Sequence, residues 1–301
     1  MASVTAIILT YNEEKHIERC IRSLTSFCER ICVVDSFSTD RTIDIAKSLG
    51  AEVFQNPWEQ NYAKQLNWGI EHCQIKTDWT LRIDADEYFT PELQQDLIQQ
   101  LPSVPPQYTG IEVIRKVFFK GSWIRFGGFY PIHLLRLWRT GKGICEQRLM
   151  DEHIILEEGE VLRLSSHVVD ENLNPIHWWV TKHNNYARRE AADALNTRFQ
   201  LTFTSNIRES AGTKQAVWKR ILKDQVYNRL PLGLRPLLYF LFRFFVQLGF
   251  LDKPKVWLFH VLQGFWYRLI VDINIYEAIQ STQGDPDQLR QLIQEEWGIK
   301  F

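Results

Sequence analysis

Residues 4–13 read Val4-Thr5-Ala6-Ile7-Ile8-Leu9-Thr10-Tyr11-Asn12-Glu13, an almost unbroken apolar run that ends abruptly in hydrogen-bonding side chains. Such a run suits a strand buried on both faces, as strands of a parallel sheet are, better than a one-sided antiparallel strand. The chain beyond it agrees. Lys15 to Leu24 places Ile17, Ile21 and Leu24 on one helical face, and Arg30 to Val34 is a second short apolar run. Arg41 to Leu49 reads as a helix, with Thr39 or Asp40 placed to cap its first amides and Gly50 to end it in a left-handed turn. Ala51 to Phe54, Asn61 to Cys73 and Trp79 to Ile83 continue as strand, helix and strand. Thr90 caps a further helix toward Leu101, with Pro91 at its first position, where a missing N–H costs nothing. The alternation predicts an α/β fold, a mostly parallel sheet with flanking helices.

The pattern changes twice. Pro102 to Pro106 reads as a linker, so a first segment is expected over 1–105. From Gly110 to Leu164, short alternating stretches and scattered glycines predict strands joined by functional loops, followed by a long polar helix from His177 to Ala194; these make a second segment, 106–200. The third, 201–301, is rich in aromatic residues. Leu237 to Leu251 and Val256 to Val271 are nearly all apolar but are broken by Arg243, His260 and Arg268. A central arginine disfavours a membrane span, so these runs are expected to lie in a lipid interface, with Arg229, Arg235, Arg243, Lys253, Lys255 and Arg268 toward anionic head groups. The alternative is a helical hairpin packed on the domain or on a second copy of the chain, a homo-oligomer.

Composition removes several function classes. With 35 basic and 36 acidic residues, the chain has no bulk field for nucleic acid. Five cysteines, odd in number and without C-x-x-C spacing, argue against a disulfide framework and a tetrathiolate zinc site. Neither a P-loop, nor a G-x-G-x-x-G after the first strand, nor H-E-x-x-H is present. The N-terminus shows no basic and apolar leader, so a cytoplasmic location is expected.

In open α/β sheets ligands bind beyond the carboxyl ends of the strands. Here those ends carry Thr10-Tyr11-Asn12-Glu13, Asp35-Ser36-Phe37-Ser38-Thr39-Asp40 and Asp84-Ala85-Asp86. Two carboxylates flanking one small residue can share a hard divalent cation with phosphate oxygens, although a lone Asp-x-Asp also arises by chance.

These segments, from Thr5 to Glu14, Val33 to Thr42 and Asp84 to Glu87, resemble the signature of glycosyltransferase family 2, enzymes of the GT-A fold. Phe119 to Arg125, Gly127 to Pro131, Leu135 to Leu137, Asp151-Glu152-His153 and Lys182 to Ala187 resemble, more narrowly, the bacterial lipopolysaccharide-core β-glucosyltransferase group. Phe37 stands where the family usually has Gly, and Asp151 where the group tends to carry His. The resemblance implies an inverting transfer of a sugar, glucose-like and UDP-linked, to a membrane-associated saccharide or lipopolysaccharide at the inner face of the plasma membrane. Segments 1–105 and 106–200 would be its donor-binding and acceptor-binding halves.

Carried over by position, Thr10, Tyr11, Glu13 and Asp35 would line the nucleoside pocket, and Asp84 and Asp86 would hold Mn2+ or Mg2+ with the diphosphate. Lys64 would offer phosphate a further cation, or be an ordinary solvated lysine. Glu152, with Asp151 as second choice, would take the acceptor proton, unless it merely pairs with Arg148. Trp123, Arg125, Phe129 and Tyr130 would form the acceptor platform, or simply pack in a core. His153 and His167 read as structural hydrogen-bonders before metal ligands. Three rivals remain: a transferase acting on polyprenyl phosphate, a nucleotidyltransferase, which would release pyrophosphate, and a catalytically silent surface or oligomerisation module with the same fold.

Overall fold

The computed structural model describes residues 2–146, 153–201, 227 and 230–299. Their contacts divide into two units. The first comprises 1–125, 129–148 and 152–174; the second comprises 126–128, 149–151 and 175–301. The break expected near residue 105 therefore lies inside the first unit, and the long polar helix belongs to the second.

The first unit is built on one sheet. Strands β1 (Val4–Thr10), β2 (Arg30–Asp35), β3 (Glu52–Gln55) and β4 (Trp79–Asp84) alternate with helices α1 (Ile17–Arg22), α2 (Thr42–Ser48) and α3 (Tyr62–His72). Beyond them come β5 (Glu87–Phe89), α4 (Pro91–Gln100), β6 (Tyr108–Phe119), β7 (Ser122–Trp123), β8 (Ile132–Arg139) and β11 (Glu160–Glu171). The order across the sheet is β3-β2-β1-β4-β8-β6-β11-β5, with β7 on β6. β1, β2, β3, β4, β6 and β11 share one direction, while β5, β7 and β8 run against it. The short strands β9 (Gly143–Cys145) and β10 (Ile154–Leu156) form a separate antiparallel pair. The α/β class with a mostly parallel sheet is thus the observed one.

Each face of the sheet has its own core. Val4, Ala6, Ile8, Val33, Leu81, Ile83, Val113, Leu137 and Val168 pack with α1 and α4 residues such as Ile17, Ile21, Leu93 and Leu97. Ile7, Cys32, Val34 and Trp138 pack with Ala63 and Leu66 of α3. β1 contributes to both, which explains its unbroken apolar run.

The expected punctuation is largely present. Thr90 Oγ1 accepts from Leu93 N–H at 3.3 Å with Pro91 in the first turn, and Gly50 closes α2 at φ 82°. Arg41 rather than Asp40 occupies the N-cap of α2, but Asp40 still accepts the Thr42 amide at 2.9 Å.

The second unit is helical. α5 (Ile176–Phe199) packs on the helix Tyr267–Thr282 through Ala187, Ala191, Leu195, Val271 and Ile275. The expected apolar runs appear as Leu234–Leu241, continued by a π-helical turn Phe242–Val246, and as Pro254–Phe259, continued by a π-helical turn His260–Trp266. A last helix, Pro286–Glu295, is capped by Asp285. Among the described residues, no helix is long and apolar enough to cross a membrane. Three of the cations expected to face head groups turn inward instead. Arg235 pairs with buried Asp272 at 2.5 Å, Arg268 pairs with Glu190, and Arg243 donates to Tyr239 Oη at 2.8 Å and to Gly127 O. A guanidinium crowded by aromatic rings is better satisfied by a fixed oxygen than left to reach for solvent. Arg229 lies outside the described residues.

Candidate active site

Parallel pairing of β1 with β2 sets Thr10 beside Asp35 at the carboxyl rim. Thr10 Oγ1 donates to Asp35 Oδ1 at 2.9 Å, and Ser38 donates its N–H and Oγ to the two Asp35 oxygens at 2.8 and 2.5 Å. Asp35 is fully buried, so these donors stand in for water around its charge. The two rim loops are tied together: Asn12 N–H donates to Ser38 Oγ and Thr39 N–H to Asn12 Oδ1, both at 2.8 Å. Asn12 and Phe37 adopt left-handed backbone, φ 56° and 60°. The turn for which the resembled family uses glycine is therefore kept, with phenylalanine in a conformation that costs it more.

Of the four residues expected around the nucleoside, Tyr11 is the one presented outward, 60% exposed. Thr10 donates to Asp35, whose oxygens are taken up by Thr10 and Ser38. Glu13 is held by His16: Leu173 N–H donates to His16 Nε2 at 2.8 Å, which leaves Nδ1 to donate to Glu13 Oε2 at 2.6 Å.

β4 brings Asp84 to the same rim, paired with Leu9. Asp84 Oδ1 accepts from Tyr62 Oη at 2.5 Å, and Oδ2 lies 3.4 Å from Arg136 and 3.8 Å from Arg82. Arg82 in turn rests on the Tyr62 ring, 4.3 Å from its centroid. Asp86 Oδ2 accepts from Asn172 Nδ2 at 3.0 Å. Arg136 comes from a bulge. Ile111 faces Leu137 and Glu112 faces Leu135, so Arg136 is the extra residue of β8. Bulges re-aim side chains, and this one turns a buried guanidinium onto Glu87 and Asp84. Across β5, Asp170 pairs with Glu87 in register and lies 3.5 Å from Arg115. Burial first, and the charge of Asp86 second, push the Asp170 carboxyl up to about 6.

Tyr62 and Asp170 were not singled out in the sequence, and Arg136 entered only within the Leu135–Leu137 stretch of the family resemblance. A charged residue inside an apolar strand, as Arg82 is in Trp79–Asp84, was the available signal that the acids had built-in counter-charges.

Among the described residues no group of three or more His, Cys, Asp and Glu is placed to hold a metal alone. The carboxylates of Asp84 and Asp86 are oxygen donors of the kind a hard cation takes, with Asp84 also engaged by Tyr62 and Arg136 and Asp86 by Asn172.

Lys64 sits in the first turn of α3 with its ammonium 2.9 Å from Glu59, both exposed. Glu152 and Asp151, the candidate bases, lie outside the described residues, as does Arg148. His153 Nδ1 is 3.0 Å from Glu146 Oε1 on the surface. Of the four residues expected to form an acceptor platform, Trp123, Arg125 and Tyr130 come together. The Trp123 and Tyr130 rings meet edge to face at 5.0 Å, and the Arg125 guanidinium and Lys116 ammonium lie 5.5 and 5.0 Å from the Trp123 centroid. Tyr130 Oη and His167 Nε2 are 3.0 Å apart. Burial, and then the Lys116 charge, hold the His167 imidazole below its ordinary pKa.

A sheet of this order, with carboxylates gathered at its carboxyl rim, is an α/β arrangement of the GT-A type. Residues 5–143 match the model of Glycosyl transferase family 2. The chain is 45% identical over 94 residues to an uncharacterized glycosyltransferase of Rickettsia bellii, a match covering 31% of each chain. It is 31% identical over 168 residues to the lipopolysaccharide core biosynthesis glycosyltransferase LpsC of Rhizobium meliloti, covering 52% of this chain and 58% of that one. Thus the match spans about a third of the first relative and just over half of the second. Among solved structures, glucosyl-3-phosphoglycerate synthase of Mycobacterium tuberculosis aligns with a TM-score of 0.33 at 21% identity, covering 38% of this chain and 44% of that one. The resemblance to family 2 and to its lipopolysaccharide-core members, read first from the motifs, is borne out by these matches.

Proposed function

We propose that the protein is a metal-dependent, inverting glycosyltransferase that moves a sugar from a UDP-sugar to a membrane-associated saccharide of the lipopolysaccharide-core kind. The observation that carries the reading is the joint placement of Asp84, Asp86 and the Thr10–Asp35 pair at one carboxyl rim of a family 2 domain. Similarity to LpsC supports the acceptor class.

Asp84 and Asp86 would hold Mn2+ or Mg2+, which when bound neutralises charge on the departing nucleoside diphosphate. Arg82 and Arg136, fixed beside Asp84, add permanent positive charge to the same region. Tyr11 offers an exposed ring to the nucleoside. Glu152 takes the proton of the acceptor hydroxyl as that oxygen attacks the anomeric carbon from the face opposite the diphosphate; the new glycosidic bond forms as the bond to phosphate oxygen breaks.

The second unit would bring the enzyme to the inner face of the plasma membrane. Phe245, Val246, Leu251 and Leu258 are each more than half exposed, and Lys253 and Lys255 stand exposed among them in sequence. Rings of Phe244, Phe250 and Trp257 make this a continuous aromatic surface, with centroids 6.0 to 6.4 Å apart. Exposed apolar patches rimmed by cations suit an anionic lipid interface.

Incubation with UDP-glucose, Mn2+ and a lipopolysaccharide-core oligosaccharide tests the proposal. Metal-dependent release of UDP with a glycosylated product is expected. Release of pyrophosphate, transfer only to polyprenyl phosphate, or absence of nucleotide binding by calorimetry would overturn it in favour of a nucleotidyltransferase, a lipid-phosphate transferase or a silent module.

A further inference from the structure

Leu81, Leu137 and Ile111 pair across β4, β8 and β6, and all three are buried in the same core. Side chains alternate along a strand, so Arg82 and Asp84 of β4 and Ile114 and Lys116 of β6 share the opposite face. Residues paired across a ladder lie on one face. Ile114 pairs with His133 on one side and His167 on the other, and Phe118 pairs with Trp123. The face that carries Asp84 therefore also carries His133, His167, Lys116 and Trp123.

This part of the face holds a half-buried cation. Lys116 is half-buried against the Trp123 ring and makes no ion pair among the described residues. Glu92, exposed in the first turn of α4, is an acid whose charge reaches Lys116 and His167. Two polar atoms of the same face, Trp123 Nε1 and His133 Nδ1, are buried without a hydrogen-bond partner. Buried donors normally find partners, and a half-desolvated ammonium is stabilised by an opposite charge. A neutral hydroxyl could accept from the indole N–H but would leave Lys116 unbalanced.

We propose that Lys116, with Trp123 Nε1 and His133, forms a subsite for an anionic group, phosphate or carboxylate, borne by the acceptor saccharide. The assignment of this ligand to the acceptor rests on the transferase reading above. Arg125, 5.5 Å from the Trp123 centroid, flanks the subsite.

Calorimetry with glucose 6-phosphate, glucuronate and glucose, each titrated with and without UDP and Mn2+, tests it. The wild-type protein is expected to bind at least one charged sugar about tenfold or more tighter than glucose, the scale of a charge-assisted hydrogen bond. Preference for glucose 6-phosphate marks a phosphate site and preference for glucuronate a carboxylate site. Lys116→Met should abolish the preference and Lys116→Arg should retain it, with UDP affinity unchanged in both. Trp123→Phe, which keeps the ring and deletes the N–H, should weaken it and serves as the test should Lys116→Met fail to fold. Equal or absent binding of charged and neutral sugars, or a preference that survives Lys116→Met and Trp123→Phe, overturns the subsite. Failure to bind UDP while the charged-sugar preference persists would strike the transferase reading and leave the anion site standing.

Discussion

Asp84 Oδ2 lies 3.4 Å from Arg136 Nη2, and the contact exists because Arg136 is the inserted residue of a bulge in β8. Asp84 thus arrives with guanidinium counter-charges already in place. Arg136 also bonds buried Glu87, so Arg136→Met should strand that carboxylate in the core. Removing one partner of a buried pair costs about 3–5 kcal/mol. Urea denaturation should show a loss of that size, and a midpoint equal to wild type would mean that the pair is not buried as described.

Asp86 is held differently, by Asn172 rather than by an arginine. Asp86→Asn keeps the shape and the hydrogen-bonding capacity but removes the charge a divalent cation needs. Transfer activity should fall at least about 100-fold, as expected when charge stabilisation at the leaving group is lost, while the melting temperature stays near wild type. Chelation of Mn2+ by EDTA should reproduce the effect in the native protein. Activity unaffected by either change would remove the metal from the mechanism.

Glu152→Gln should reduce transfer by about 10²–10⁴-fold, the range for loss of a general base, and leave UDP affinity unchanged when titrated with Mn2+. Should most of the rate survive, the acceptor proton goes elsewhere. Asp170, whose carboxyl is pushed up to about 6 beside the rim, is the group whose substitution would then be measured.

The βαβ half was legible because its signals are local: apolar runs, capping residues and Gly50 each act within a few positions of themselves. Thr10, Asp35 and Asp84 were legible as rim residues for the same reason, since a strand's carboxyl end is visible where its apolar run stops. What the local pattern could not carry was pairing between distant segments. Arg136 finds Asp84 across 52 positions through a bulge, and Asp170 meets Glu87 through the register of β11 on β5. The inward turn of Arg235, Arg243 and Arg268 was hidden likewise, because composition shows a cation among aromatics but not the Asp272, Tyr239 or Glu190 that receives it.

His183 should make the helical unit acid-sensitive. It donates from Nδ1 to Trp179 O at 2.9 Å and stacks on the Trp179 ring at 3.5 Å, and burial lowers its pKa from 6.5 to about 4. In the unfolded chain the ring takes a proton near 6.5, in the folded chain only near 4. Between those values the unfolded state binds more protons, so stability is full above about pH 6.5 and declines as pH falls toward about 4. Urea midpoints at about pH 7 and about pH 4.5 should differ less in His183→Gln than in wild type. An equal drop in both proteins would show that other groups carry the acid sensitivity.

The proposed membrane attachment is tested at Phe245 and Leu258, exposed by 56% and 62% on segments joined through Lys253 and Lys255. Inserting such side chains into the lipid boundary gains about 1.5–3 kcal/mol each, and each lysine adds about 1 kcal/mol near an anionic surface. Two apolar losses should therefore outweigh the electrostatic remainder. Phe245→Ser combined with Leu258→Ser should leave the protein in the supernatant when vesicles of anionic phospholipid are sedimented. Lys253→Gln with Lys255→Gln should instead make binding weaker and less dependent on salt. Undiminished sedimentation of the serine variant would assign that aromatic surface to a protein partner or to a second copy of the chain, and sedimentation equilibrium would then separate those two.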